Sequence, residues 1–120
     1  MTDGIKTKKD QVFSLLCPYL GRTAVLYRET WIYKIIPEHP EVNNRLDLVK
    51  EIISKDTPEI LKYRKRRDPH KIALFKKCPH LLPYNQYIKV ALHLINQNEA
   101  VITTIHGQNN LPSNDMEAIK

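Results

Sequence analysis

The stretch KYRKRRDPHKIALFKK runs from Lys62 to Lys77 and sets the expectations for the rest of the chain. It holds eight lysines and arginines against a single acid, Asp68, so its formal charge is +7, whereas the whole 120-residue chain carries +6. The positive charge is therefore concentrated in one segment of an otherwise nearly neutral protein. Clustered Lys and Arg bind polyanions by releasing counterions from phosphates, but they also occur simply as a solvated surface. Both interpretations stay open at this point.

Around this stretch the apolar residues recur with a period of two, which predicts β-strands. The segment EILKYRKR places Lys62, Arg64 and Arg66 on one side and Leu61 and Tyr63 on the other. After a turn that contains proline, KIALFKK forms the partner strand, and QYIKVALHLI and AVITTI follow as two more strands. Near the start of the chain, VFSLL and TAVLY flank the turn-like CPYLGR and predict a hairpin.

Two short helices are predicted between that hairpin and the later strands. Thr30 begins a helix of about two turns, which Pro37 and Pro40 bring to an end. Asn43 or Asn44 opens the second helix, in which leucine, valine and isoleucine recur at helical spacing. The predicted fold class is α+β, with short helices packed on one face of a mainly antiparallel four-stranded sheet that a hairpin precedes.

Length and composition predict one domain. We expect a disordered tail at residues 1–11, a single α+β domain at 12–107 and an irregular C-terminal tail at 108–120. No apolar run approaches the roughly 20 residues that cross a bilayer, so we expect a cytoplasmic protein without membrane contact. In that compartment Cys17 and Cys78 should be free thiols. Neither a GxGxxG motif nor a P-loop occurs, and the Cys78-Pro-His80 sequence is a weak zinc signal, so no cofactor or metal is expected.

The predicted sheet has one face that the helices leave uncovered. If the aliphatic side of QYIKVALHLI packs under the helices, Lys89 and His93 lie on the opposite side, together with Lys62, Arg64 and Arg66. Metal-independent RNA cleavage needs a base for the 2′-hydroxyl, a cation for the phosphate and an acid for the leaving oxygen. Histidine and lysine or arginine suit these tasks. A surface or packing role is the alternative for each histidine.

A resemblance to a nuclease family covers roughly residues 28–107. The segment TWIYKIIPEHPEV, an amphipathic helix, then DTPEIL and a charged hairpin resemble the phage- and toxin-associated nucleases of the barnase, EndoU, colicin and RelE-like (BECR) fold. The matching positions are Trp31, His39-Pro40-Glu41, Pro58 and Val101-Ile102-Thr103. The resemblance implies RNA cleavage without a metal, with His39, Arg64 and Thr103 as site residues. Lys34 departs from the pattern, because related sequences often have a histidine near this position.

The predicted function is therefore an RNA-binding domain that cleaves RNA without a metal, a toxin-type endoribonuclease of phage or mobile-element origin. The candidate catalytic residues are His39, Arg64, Lys89, His93, Thr103 and His106. The candidate nucleic-acid-binding residues are Lys62, Arg64, Arg66, Arg67, Lys71 and Lys76. One alternative is a non-catalytic nucleic-acid or protein interaction module of the same fold. Another is a protein that presents its basic patch to an acidic partner such as an antitoxin.

Overall fold

The computed structural model describes residues 10–80 and 84–119, and seven strands within these ranges form one mixed sheet. The strands are β1 (Gln11–Cys17), β2 (Arg22–Tyr27), β3 (Leu61–Lys65), β4 (Asp68–Lys77), β5 (Tyr87–Leu94), β6 (Glu99–Gln108) and β7 (Met116–Ala118). Their order across the sheet is β1-β2-β6-β5-β4-β3-β7. The β2–β6 pair is parallel and all the other pairs are antiparallel.

The predicted fold class, with a mainly antiparallel sheet of four strands, was wrong, because the structure has one mixed sheet of seven strands. The β1–β2 hairpin belongs to the same sheet, since β2 pairs with β6 over the three residues Thr23–Val25. Strand β7 pairs with β3 and comes from residues that were expected to be irregular. Turn signals report only which neighbouring strands form hairpins, so they could not reveal a parallel pair far apart in sequence. Of the expected N-terminal tail, residues 1–9 lie outside the described residues, while Gln11 begins β1.

The helical regions follow β2 directly. A continuous helical segment consists of α1 (Arg28–Thr30), a π-helical stretch (Trp31–Ile35) and α2 (Ile36–Glu38), and a 3-10 turn (Pro40–Val42) comes next. The widened π-helical turn precedes Pro37, whose ring would clash with a carbonyl oxygen in a regular α-helix. The longest helix is α3 (Leu46–Ser54). Among the described residues, no helix is long and apolar enough to cross a membrane.

Helix α3 packs on one side of the sheet, which we call the core face. Leu74 of β4, Val90 of β5 and Ile105 of β6 lie on this face and belong to a single buried cluster with the apolar side of α3. Full burial of such a side chain contributes about 1.5–3 kcal/mol to folding. Cys17 and Cys78 are also buried and are free thiols, as predicted.

The opposite side of the sheet is the open face. Because strand residues alternate, it carries Ala73 of β4, Lys89, Ala91 and His93 of β5, and His106 of β6. Lys89 and His93 therefore share this face, as predicted, and His106, whose face the sequence left open, lies on it too. Most of these side chains are only partly buried, whereas Ala73 is buried.

The helical segment covers the edge of β6 where β2 no longer pairs with it. The β2–β6 pairing ends at Val101. Beyond that point, Lys34 Nζ donates a hydrogen bond to the carbonyl oxygen of Thr103 at 2.9 Å. Glu41 Oε2 accepts one from the backbone N–H of Gly107, also at 2.9 Å. Side chains thus satisfy backbone groups of a strand edge that would otherwise be exposed.

Candidate nucleic-acid interface

A concavity of about 390 Å³ opens on the open face. Ala73 and Ala91 face each other across β4 and β5, and both line it. The residues two positions away from Ala91 on the same face are Lys89 and His93, which are much longer. Paired alanines between long side chains therefore form the floor of a depression, so small residues at matched register positions create the concavity.

Lysines from separate parts of the chain line the concavity. Lys34 comes from the helical segment, Lys65 from β3, Lys71 from β4 and Lys89 from β5. Asp115, just before β7, is the only acid among the described residues that line it. The concavity therefore has an excess of positive charge, and polyanions are the ligands that such a surface attracts.

Within the concavity, the surroundings of Lys89 alter its pKa. Burial lowers its pKa, the nearby Lys65 lowers it further, and the Asp115 carboxylate opposes this change. Its Nζ lies 6.0 Å from the centre of the Phe75 ring. A cation that is partly removed from water interacts more strongly with a phosphate than an exposed one does. Lys89 is thus the best placed cation for charge stabilisation.

One imidazole lies next to Lys89, and a second imidazole packs against the first. His106 is its cross-strand partner on β6. The ring of His39, from the connection between α2 and the 3-10 turn, lies over His106, with ring centres 4.7 Å apart and planes 32° apart. Burial lowers the pKa of His106, and Lys89 and His39 lower it further. Near neutral pH His106 is therefore mainly the neutral imidazole, which is the form that accepts a proton.

The third histidine of the open face lies apart from this pair. His93 and Thr103 line the concavity, and His93 is paired in register with Lys71. It follows Lys89 by four residues on β5, which corresponds to roughly 13 Å along a strand. The Thr103 hydroxyl already donates a hydrogen bond to the carbonyl oxygen of Ala91 at 3.3 Å. His93 therefore cannot act on the same atoms as His39 and His106.

Lys62 and Arg64 do not lie on the predicted face. They are paired in register with Leu74 and Ile72, which are buried on the core face. Lys62 Nζ lies 3.0 Å from Oδ1 of Asp56. Arg64 Nε is buried and has no hydrogen-bond partner among the described residues. The expectation that Arg64 joins Lys89 in one site was therefore wrong.

This error has a physical cause in β3. All five of its residues are partly buried, so neither side of the strand is fully covered by the core or fully exposed to solvent. Tyr63, which the pattern assigned to the covered side, packs edge-on against Phe75 with ring centres 5.5 Å apart. Phe75 is the register partner of Lys89 and so lies towards the open face. Alternation indicates the buried side only where one side is fully covered.

The other predicted binding residues divide between two roles. Lys71 lines the concavity. Arg66 instead forms an ion pair with Glu117 at 3.4 Å, and Lys76 forms one with Glu51 at 2.6 Å. Arg66 and Lys76 are thus paired with carboxylates of the protein itself, so only part of the basic segment faces the candidate site.

Several site residues were missed by the sequence analysis. Lys34, Lys65, Asp115 and Met116 line the concavity. Arg67, which was predicted, lines an adjoining cavity together with Lys65 and Asp115. Lys65 could have been found. It directly follows Arg64, so strand alternation places its side chain on the side of β3 opposite to Lys62 and Arg64. Lys34 and Asp115 come from distant segments, and no local pattern predicts that they meet.

Comparisons with known proteins found no match: no protein-family model, curated protein or solved structure matches this chain. The resemblance to the BECR nucleases therefore stays a prediction. Within residues 10–80 and 84–119, no group of three or more His, Cys, Asp or Glu side chains is arranged to hold a metal ion.

Proposed function

We propose that this protein binds single-stranded RNA in the open-face concavity and cleaves it without a metal ion. The observation that carries this proposal is the contact between His39 and His106, in which His106 is the cross-strand partner of Lys89, a lysine that lines the concavity. Cations for the phosphate and imidazoles for proton transfer are thereby brought to one surface, as phosphodiester cleavage requires.

The geometry suggests a role for each group in the proposed reaction. Neutral His106 takes the proton from a 2′-hydroxyl, and the 2′-oxygen attacks the adjacent phosphorus. Lys89 stabilises the negative charge that builds up on the phosphate oxygens. His39, whose nitrogens lie 3.7 and 4.0 Å from carboxylate oxygens of Glu41 and Glu38, gives a proton to the departing 5′-oxygen. The products are a 2′,3′-cyclic phosphate and a 5′-hydroxyl.

The size of the concavity favours an unpaired strand. Its volume of about 390 Å³ falls in the range of small-molecule pockets, roughly 300–1,000 Å³. It can admit a nucleotide that is splayed out of a single strand, but not a duplex. The proposed location is the cytoplasm, since buried free thiols such as Cys17 and Cys78 suit a reducing compartment.

A second candidate function is RNA binding without cleavage. It is favoured by the positions of Arg64, which lies away from the concavity, and of Thr103, whose hydroxyl is already hydrogen-bonded. Two of the expected catalytic groups therefore make no evident contribution. In this case the lysines would bind phosphates and the histidine pair would serve packing.

Incubation of the purified protein with end-labelled single-stranded RNA in EDTA tests the proposal. We expect products with 2′,3′-cyclic phosphate ends, which are lost in Lys89→Ala and His106→Ala. The matched control is His70→Ala, because His70 is exposed and does not line the concavity. An oligonucleotide of the same sequence with deoxyribose at every position must stay intact. Intact RNA that still binds would favour the second function, and RNA that neither binds nor breaks would reject both.

A further inference from the structure

One carboxylate oxygen of Glu41 connects the strand edge to the histidine pair. Oε2 accepts the hydrogen bond from the N–H of Gly107 at 2.9 Å and lies 3.7 Å from Nδ1 of His39. The side chain is only 24% exposed. The bond to a backbone group of β6 fixes the carboxylate, and the carboxylate in turn lies next to the ring that covers His106.

The backbone around His39 does not determine the direction of its ring. His39 lies between α2 and the 3-10 turn with φ −138° and ψ 66°, outside any regular helix or strand. Its N–H donates to the carbonyl oxygen of Ile35 at 2.7 Å, which holds the backbone but not the imidazole. The ring is therefore held by its neighbours, which are His106, Glu41 and Glu38.

We propose that Glu41 is a positioning residue, which keeps the His39 imidazole over His106, the cross-strand partner of Lys89. The proposal deepens the proposed function and rests on it, because the position of the ring affects catalysis only if the histidine pair transfers protons. An oriented partner on one ring nitrogen is a common way to fix the tautomer and direction of an imidazole. Glu41 is suited to this task because its own position is set by Gly107.

Glu38 provides the matched comparison. Its carboxylate lies 4.0 Å from Nε2 of His39, but its side chain is 61% exposed, and no hydrogen bond from Glu38 to the strand edge is present among the described residues. Glu41→Gln keeps an amide oxygen that can accept the Gly107 hydrogen bond, but it removes the negative charge beside His39. Glu38→Gln removes the same charge from the other side of the ring.

Imidazole ¹⁵N NMR of the full chain measures ring tautomer and titration for each histidine, independently of RNA cleavage. We expect Glu41→Gln to change the His39 and His106 signals and their titration, whereas Glu38→Gln leaves the His106 signals unchanged. In the cleavage assay, Glu41→Gln should lower kcat by about 10- to 100-fold with little change in KM, and it should shift the pH profile.

Histidine signals that are the same in Glu41→Gln and wild type would overturn the proposal, even if the wild-type protein cleaves RNA. A loss of kcat without any change in the pH profile or the histidine spectra would also count against it, since a purely structural role would explain that loss. If wild-type protein leaves RNA intact, the proposed function fails, while the spectra still decide whether Glu41 orients His39. Thermal unfolding shows whether each variant is folded. If Glu41→Gln is misfolded, Glu41→Asp is tested in its place.

Discussion

The two sides of the β3–β4 hairpin carry similar numbers of cations but place them in different surroundings. On the core face, Lys62 and Lys76 each lie within 3.0 Å of a carboxylate oxygen. On the open face, Lys65 and Lys71 line the concavity, and the nearest carboxylate to Lys71 is 3.8 Å away, in Asp68. The charge available to a ligand is thus smaller than the charge counted in the sequence. The register of the hairpin decides which cations are neutralised and which are available.

The largest expected effect comes from removing cations on one side at a time. Lys65→Ala with Lys71→Ala should weaken binding to single-stranded RNA by on the order of 10- to 100-fold, because two charged phosphate contacts are lost. The slope of log affinity against log salt should fall by about 1.4, since each phosphate contact in a single strand contributes about 0.7. Fluorescence anisotropy over a range of salt concentrations measures both.

The control for that experiment is the double substitution Lys62→Ala and Lys76→Ala, which changes the net charge equally on the core face. Its salt slope should equal that of the wild-type protein. Equal losses in the two double variants would show that RNA responds to net charge alone, and the distinction between the two faces would then have no functional meaning.

A smaller effect is expected from filling the concavity without changing its charge. Ala91→Leu should lower RNA affinity by about 10-fold, because the added side chain occupies the floor between the lysines. Ala118→Leu adds the same side chain on the exposed end of β7, outside the concavity, and should have no effect. Unchanged binding by Ala91→Leu, measured by the same anisotropy titration, would mean that the lysines bind RNA as a flat surface.

Asp115 should weaken phosphate binding, because it is the acid next to Lys65 and Lys89. Asp115→Asn should therefore raise RNA affinity by about 2- to 5-fold at neutral pH. The Asp115 carboxylate raises the pKa of Lys89, so in the variant Lys89 loses its proton at a lower pH. As the pH rises, RNA binding by the variant should therefore begin to weaken at a lower pH than binding by the wild type, and the gain should disappear.

Glu117→Gln is the control, since Glu117 lies on the same strand but pairs with Arg66. Equal gains from Asp115→Asn and Glu117→Gln in a titration between pH 7 and pH 10 would contradict a specific role of Asp115 in the concavity.

The smallest effect concerns the ion pair between Lys76 and Glu51 on the core face. The hydrogen bond between the two side chains lowers the pKa of Glu51 and raises that of Lys76. Its stabilisation should therefore be complete near neutral pH, be lost as the pH falls through the Glu51 pKa, and be lost again as the pH rises through the Lys76 pKa. Because both side chains are only partly buried, solvent still screens the pair, and Lys76→Met should cost only about 0–1 kcal/mol of unfolding free energy at pH 7. Urea unfolding at several pH values measures this, and a cost that persists at pH 3 would argue against the ion pair as its source.

Local patterns predicted the central strands of the sheet well. In β5, Ile88, Val90 and Leu92 are buried on the core face, and Lys89 and His93 lie on the open face, because both sides of this strand have clearly different surroundings. The weak alternation of AVITTI also has a structural cause. A bulge at Thr103 shifts the register of β6 by one residue opposite Ala91 and Leu92.

The candidate site could be predicted only in part. Lys89 and His93 were assigned to one face because they lie on a strand with clear alternation, whereas the weak alternation of β6 left the face of His106 open. The contact of His39 with His106 depends on the path of an irregular connection, and Asp115 reaches the concavity through a strand of three residues that is too short to show a pattern. Contacts of this kind depend on tertiary structure rather than on local sequence preference.

The first and last strands occupy opposite edges of the sheet, β1 at one and β7 at the other. A fusion partner attached before β1 would therefore be separated from the concavity by the width of several strands. One attached after β7 would leave from the opposite edge, where the N–H of Ile119 donates to the carbonyl oxygen of Lys62, and from this nearer edge it could obstruct the entry of RNA. Purification tags placed at the N-terminal side should leave binding intact, and the same tags at the C-terminal side should reduce it.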